Sequence, residues 1–375
     1  MYPIKEINEI CEVIAGQSPP SSTYNIVSDG IPFFQGKADF NDKHPTVRYW
    51  CNQPKKISKP NDILISVRAP VGAININNIE ACIGRGLAAI RVGEEIDLLY
   101  LFHNLRYQKR QIKNLGTGST FKAITIKTLK AIKIPLPPLE TQKRIAQILD
   151  DAAALRDTTA QLLKEYDLLA QSIFLEMFGD PVVNPKGWTK DKTIEYCTCI
   201  VPGRDKPKSF TGNIPWVTTN DLNHLNITSD SKVFKGLTEN EIAEVRAKII
   251  PVGSVIITCV GDLGVVSINN QEMIVNQQLH TFQCGDKLNN VFLMYNIAFQ
   301  TPYMHKMASS TTVPYMNKTV CNGIPTILPP AELQNQFADK IALIEQQKAL
   351  AKQELQESED LFNCLLQKAF KGELV

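Results

Sequence analysis

Apolar positions along the chain follow two regimes, and each regime occurs twice. Short apolar runs broken by Gly, Pro and Asn come first: Asp62 to Val67, Ala73 to Ile76 and Leu87 to Val92, then Ser254 to Val260, Gly264 to Ile268 and His280 to Gln283. Runs of that length and β-branched content predict strands of a curled, mixed sheet. After Pro137-Pro138 and again after Pro329-Pro330 the spacing changes to steps of three and four. Ile145, Ile148, Ala152, Leu155, Thr159, Leu162, Tyr166, Leu169 and Ile173 form one such seam; Phe337, Ile341, Ile344, Lys348, Ala351, Leu355, Ser358, Phe362, Leu365 and Ala369 form the other. This heptad pattern predicts two helices of roughly 60 Å each, too long to be buried inside a small domain. Each therefore needs a partner stripe. An antiparallel coiled coil of the two helices within the chain is the economical solution, while the polar seam positions Thr159, Lys348 and Ser358 leave pairing with another chain open.

The order of elements is a repeat. A shift of 192 residues lays Asn61-Asp-Ile-Leu-Ile-Ser66 over Gly253-Ser-Val-Ile-Ile-Thr258 and Gly72 over Gly264. It continues through Tyr100 to Leu105 over Phe292 to Ile297, and ends with Pro135-Leu-Pro-Pro138, Glu140 and Gln142 over Ile327-Leu-Pro-Pro330, Glu332 and Gln334. Ile31-Pro-Phe-Phe34 matches Ile214-Pro-Trp-Val217 at a shift of 183, so an intervening loop differs in length. The expected fold class is α+β: two similar α/β domains separated by two long helices. The expected segments are 1–139 (first domain), 140–180 (central long helix), 181–330 (second domain) and 331–375 (C-terminal long helix).

Composition narrows the function. The chain has 375 residues, 43% hydrophobic and 21% charged, with no apolar run long enough to cross a bilayer and no charged-then-apolar N-terminal signal, so a cytoplasmic protein without membrane contact is expected. The nine cysteines are scattered with no Cys-x-x-Cys pair, which points to reduced core residues and no metal site. The net charge of +2 is unevenly placed: Arg106, Lys109, Arg110, Lys113, Lys122, Lys127, Lys130 and Lys133 occur between Leu98 and Leu139 with no acidic residue. Such a run suits an anionic polymer or a solvated face.

Catalytic constellations are missing. Asn184-Pro185-Lys186 and Asn52-Gln-Pro54 both fail the Asp/Asn-Pro-Pro-aromatic pattern that holds a target amine, and neither a phosphate-cradling Gly-x-x-x-x-Gly-Lys-Ser/Thr loop nor Gly-x-Gly-x-x-Gly is present. Gly116-Thr-Gly-Ser-Thr120 has the twin Ala308-Ser-Ser-Thr-Thr312, which keeps the hydroxyls and loses the glycines; this favours a backbone-phosphate contact, or a plain polar turn, over a nucleotide loop. The five histidines have no metal-ligand spacing.

What the loops do offer is Arg and Lys for guanine, Asn and Gln for adenine, and Ser and Thr for phosphates. The candidate DNA contacts are Gln35, Lys37, Lys43, Arg48, Arg68, Arg85, Ser119, Thr120 and Lys122 in the first half. In the second they are Arg204, Lys206, Lys208, Thr218, Thr219, Asn220, Gln277, Gln278, Thr311, Thr312 and Asn317. Arg85 falls on Gln277 across the repeat, a difference that two domains reading different sequences would show and that drift on a surface would also produce.

These motifs resemble the specificity subunit (HsdS) of type I DNA restriction-modification systems. The likeness lies in Ile134-Pro-Leu-Pro-Pro-Leu-Glu-Thr-Gln-Lys-Arg-Ile-Ala-Gln-Ile-Leu149, in Phe174-Leu-Glu-Met-Phe-Gly-Asp-Pro181 with Asn184-Pro-Lys-Gly-Trp188, and in Lys368-Ala-Phe-Lys-Gly-Glu-Leu374. It covers the whole chain. The resemblance implies two target-recognition domains that each read one half of an asymmetric bipartite site in double-stranded DNA, with the helices fixing the gap. It further implies two modification (methyltransferase) subunits docked on the helical regions and ATP-driven restriction subunits. S-adenosylmethionine, ATP and Mg2+ would belong to those partners, with no cofactor, metal or catalytic residue in this chain. The second long helix departs from the first by opening Glu332-Leu-Gln-Asn-Gln, without the Lys143-Arg144 pair. Two other classes compete: a fused restriction-methylation enzyme, which would need catalytic motifs, and a coiled-coil adaptor whose end domains bind protein.

Overall fold

A computed structural model describes residues 2–117, 122–203, 205–309 and 312–374. The chain divides into two compact units, one made of residues 1–160 with 353–375 and the other of residues 161–352. Each long helix, Leu139–Phe178 and Ala331–Lys371, supplies residues to both units.

The first unit is built on a four-stranded antiparallel sheet in the spatial order Cys11–Ala15, Leu87–Val92, Ile63–Ser66, Ile74–Ile76. Ile63, Ile65, Ala88 and Ile90 join Tyr100, Leu101 and Leu105 of the helix Leu98–Tyr107 in one apolar cluster. Leu64, Leu87 and Ala89 face the other way, onto Phe34, Ala81 and Ile83 of a second sheet. Both faces are covered, which is why these strands read as continuous apolar runs without polar alternation. That second sheet orders Tyr24–Asn25, Tyr49–Cys51, Ile31–Phe34, Ala81–Ile83 and Ile57–Ser58, with Phe33 parallel to Cys82.

The second unit repeats the plan. Cys197–Ile200, Leu279–Cys284, Val255–Thr258 and Val266–Asn269 follow the same order, and Asn226–Thr228 adds a parallel edge strand. Trp216 pairs parallel with Ile274 as Phe33 does with Cys82.

One buried amide anchors each long helix to its unit. Gln142 is fully buried; its Oε1 accepts from the backbone N–H of Asp97 at 2.9 Å, and its Nε2 donates to the carbonyls of Glu95 (2.9 Å) and Pro137 (2.8 Å). Gln334 repeats all three bonds with Asn289, Lys287 and Pro329. Asp97 and Asn289 are themselves the N-caps of the helices Leu98–Tyr107 and Asn290–Phe299, so the amide links a helix start to the Pro-Pro turn.

The two long helices pair antiparallel. In the first unit Ile145, Leu149 and Ala152 pack with Phe362, Leu365 and Ala369, and the Arg156 guanidinium lies 5.1 Å from the centre of the Phe362 ring. In the second unit Phe174 and Phe178 meet Phe337 at ring separations of 5.4 and 5.5 Å, and Lys348 Nζ is 2.8 Å from Asp167.

The C-terminal helix uses every seam position read from its sequence: Phe337, Ile341, Ile344, Lys348, Ala351, Ser358, Phe362 and Ala369 are buried, and Leu355 and Leu365 partly so. The central helix uses only half. Ile145, Ala152 and Thr159 are buried and Tyr166 and Ile173 partly buried, but Leu155 (53% exposed), Leu162 and Leu169 face solvent and Ile148 is only partly covered. Leu149, Arg156, Leu163 and Ala170 fill the seam in their place. The pattern steps by four and then three from Ile145, where the expected pattern stepped by three and then four. Both are legal heptad phases, and the packing partner decides between them.

Candidate nucleic-acid interface

In the first unit several loop candidates converge where strand ends meet. Gly84 N–H donates to Phe34 O at 2.8 Å and Val67 N–H to Gly86 O at 2.9 Å, which brings 34–37, 67–69 and 84–86 together. Gly86 permits that approach, since a Cβ there would lie 2.5 Å from the carbonyl oxygen of Gln35. The result is an open concavity of about 590 Å³ lined by Gln35, Lys37, Arg68 and Arg85 together with Ser18, Ser21 and Tyr24. Three cations and no carboxylate line it, and neither arginine side chain has an ion-pair partner among the described residues. Such a surface attracts an anion and presents two guanidiniums that are free to fork onto a base edge or phosphate. Lys122 is exposed beside it, next to Ala123, which bridges the backbone of Arg68.

Two candidates of the first half are engaged elsewhere. Lys43 lies 3.1 Å from Asp150 on the central helix, whose other carboxylate oxygen is 2.7 Å from His103 Nε2. The hydrogen bond from His103, followed by that from Lys43, holds the Asp150 carboxyl below its usual range. Arg48 is paired with the buried Asp39 at 2.8 Å, the residue that also accepts from the N–H groups of Gln35 and Gly36. Ser119 and Thr120 lie outside the described residues.

The second unit places an equivalent set at the same end of its sheet. Asn276 N–H donates to Val217 O at 2.9 Å, the counterpart of Gly84 to Phe34, so Gln277 sits beside Thr218. Buried Asp221 takes the part of Asp39, accepting from Thr218 N and Oγ1 at 2.7 Å each, and leaves Asn220 exposed on the turn. Gln277 Nε2 donates to Gly203 O (2.8 Å) and Asp205 O (3.2 Å), and Gln278 Oε1 accepts from Asn276 Nδ2 at 3.1 Å. Lys206 is exposed, and Lys208 is 3.9 Å from Glu244. Glu241 fixes the loop that follows, accepting from Ser209 and Thr211, and these bonds, that of Ser209 first, pull its carboxyl down to about 2.

Asn317 does other work: its side chain accepts from Val320 N and caps the helix Lys318–Asn322, as Thr125 caps Ile126–Lys130 in the first unit. Thr219 belongs to the turn that Asp221 closes, and Thr312 is exposed. Arg204 and Thr311 lie outside the described residues.

Ser18, Ser21 and Tyr24, which line the first concavity, were not legible as site residues. They reach it only because Tyr24 Oη donates to Pro19 O and Ser18 Oγ accepts from Arg85 N, contacts that span up to 67 residues. Among the described residues no cluster of His, Cys, Asp and Glu could hold a metal ion, and no helix is long and apolar enough to cross a membrane.

The model of the type I restriction modification DNA specificity domain matches twice, at residues 2–166 and 195–359. The MjaX type I restriction enzyme specificity subunit of Methanocaldococcus jannaschii is 53% identical over 139 residues, which cover 37% of this chain and 33% of that protein. The MjaIX specificity subunit of the same organism is 21% identical over an alignment covering 100% of this chain and 93% of that subunit. Among solved structures, the S subunit of a type I restriction-modification system from M. genitalium superposes with a TM-score of 0.60 at 14% identity, covering 99% of this chain and 96% of that one. A chain from a study of complex assembly and conformational transition in the type I R-M system reaches 0.62 at 20% identity, covering 100% and 98%. At these identities the two structural matches speak to the fold.

Proposed function

Because the chain belongs to the type I restriction-modification DNA specificity family, we propose that each of its two units reads one half of an asymmetric bipartite site in duplex DNA, with the long helices setting the gap between the halves. As a specificity subunit it is the non-catalytic member of its system, acting with DNA and with partner subunits. One observation supports the reading most: the same sheet end is built twice, and its readers differ. One copy presents Arg85, Arg68 and Lys37 without carboxylates; the other presents the exposed Asn220 and the Oε1 of Gln277, whose Nε2 is held by the carbonyls of Gly203 and Asp205. Arginine suits guanine and glutamine or asparagine suits adenine, so two unlike half-sites are the natural ligand.

The partners we propose are two modification subunits and ATP-dependent restriction subunits. S-adenosylmethionine is bound by the former, ATP and Mg2+ by the latter, all in the cytoplasm where the DNA is. Exposed leucines stand on the helices of each unit, Leu155 and Leu361 in the first and Leu162, Leu168, Leu169, Leu343 and Leu350 in the second, and apolar side chains left in solvent suit the docking of such partners. The gap supplies the test. Lengthening both helices by one matched heptad and selecting bound duplexes from a random pool should move the preferred separation of the half-sites; an unchanged separation contradicts a spacing role for the helices.

A further inference from the structure

Phe234 is 89% exposed, more than any other large apolar side chain among the described residues, and Val233 beside it is 64% exposed. Its backbone sits at φ +54°, a left-handed conformation that a bulky side chain adopts only under constraint. The constraint is visible. Phe234 N–H donates to Ser231 O at 2.9 Å, Lys232 N–H to the buried Asp221 at 2.7 Å, Lys232 Nζ to Asn220 O at 2.9 Å, and Trp216 N–H to Lys235 O at 2.9 Å. Seven residues are thus held so that an apolar ring projects into water, an arrangement that burial cannot explain and a ligand can.

The ring's position indicates which ligand. Ile214 and Pro215 pair antiparallel with Leu237 and Gly236, and Trp216 N–H donates to Lys235 O, so the Phe234 loop leaves one side of the strand Ile214–Val217 just before the reader Thr218, while Ile274–Val275, which lead to Asn276-Gln277, pair on the other side. Asp221 ties both together, since the carboxylate that closes the Thr218 turn also holds the Phe234 loop. Lys232 and Lys235 stand on either side of Phe234 in the chain, with the exposed Asp230 at the start of the loop; the Lys232 ammonium rests on the carbonyls of Asn220 and Leu222, and that of Lys235 lies 5.0 Å from the Phe210 ring centre and 5.8 Å from that of Trp216. The first unit places Arg48 in the same register, opposite Phe34, with its guanidinium on Asp39.

We infer that Phe234 is a wedge that inserts between stacked base pairs at the DNA half-site read by the second unit, so that this half is recognised partly through the ease of opening one base step. The inference rests on the proposed DNA-reading function. A rigidly presented apolar ring, tied through the Asp221 carboxylate to the turn that carries Thr218 and Asn220, is the design by which proteins pry a base step apart.

The experiment uses the full chain with its copurifying partner subunits and the duplex they select. 2-Aminopurine is placed at each position of the second half-site in turn. Binding should raise its fluorescence at one step. Phe234→Ala should abolish that rise and weaken binding roughly five- to a hundredfold, the range expected for one lost base–aromatic stack, whereas Phe234→Trp should keep both. Thermal unfolding and copurification should match wild type, because the ring is not part of the core. A Phe234→Ala complex with unchanged affinity and an unchanged fluorescence rise overturns the wedge, and so does a variant that loses its partner subunits while its DNA affinity stays, which would make the ring a protein contact. Failure to select any duplex would instead remove the DNA-reading function on which the inference rests.

Discussion

Replacing Gln142 by leucine keeps the volume of a fully buried side chain and removes all three of its hydrogen bonds. The losers are the Asp97 N–H and the carbonyls of Glu95 and Pro137. A buried peptide group left without a partner costs about 1–3 kcal/mol, which applies to the Pro137 carbonyl; the half-buried Asp97 N–H and Glu95 carbonyl each lose about the 0.5–1.5 kcal/mol of an ordinary hydrogen bond. The added apolar burial returns about 1 kcal/mol. The net loss expected is about 1–5 kcal/mol, from a substitution that touches no reading loop. Urea unfolding followed by far-ultraviolet circular dichroism measures it, as the shift in midpoint multiplied by the slope of the transition. Gln334→Leu, which breaks the same three bonds in the second unit, should lose a similar amount. Both variants should retain wild-type base preferences wherever they remain folded. A loss below about 0.5 kcal/mol in both would refute the assignment of these amides as the anchors of the long helices, since surface substitutions without structural consequence fall in that range.

Three further outcomes follow from the packing, the buried charges and the concavity. Leu149→Ala should lower stability by about 2–5 kcal/mol, and Leu155→Ala, one seam position away in the rejected heptad phase, by less than about 0.5 kcal/mol; the reverse order in thermal unfolding would restore the three-then-four phase. Burial lowers His280 from its ordinary 6.5 to about 4, so the unfolded chain takes up the proton first. Stability from this group is full above about pH 6.5, falls between there and pH 4, and about 3 kcal/mol is lost at lower pH; His280→Gln should flatten that part of the stability–pH curve, and an unaltered slope would show that the ring titrates normally. Arg85→Ala should cost about 1–3 kcal/mol in DNA binding and relax preference at one position of the first half-site, as read by competition among single-base variants, while uniform weakening with no change in preference would make Arg85 a phosphate contact.

Much of the architecture was legible because it is written twice. The shift of 192 residues survives in the structure bond for bond: Gln142 and Gln334 make the same three contacts, and Thr125 and Asn317 cap matching helices. The seam of the C-terminal helix was legible because its bulkiest core side chains, Phe337, Ile341, Ile344 and Phe362, all fall on the phase that the structure uses. That of the central helix was not, because Ile148-Leu149 and Leu162-Leu163 offer an apolar side chain to either phase, and the choice lies with the facing residues, Phe362 and Phe337 among them. The reading surface was legible as residue types and not as a place. Gln35, Lys37, Arg68 and Arg85 converge because strand ends distant in sequence are hydrogen-bonded together. Lys43 and Arg48 carry the same charge as their neighbours but answer to Asp150 and Asp39, the first of these 107 residues away. Phe234 escaped notice because an apolar residue in a loop passes for core until its exposure is seen.

The most direct measurement is selection of bound duplexes from a random DNA pool at moderate salt, using the chain with its copurifying partner subunits. Two enriched, unlike half-sites at one fixed gap are the predicted result. With active partners present, no enrichment, or enrichment of a single uninterrupted site, would contradict bipartite reading by the two units.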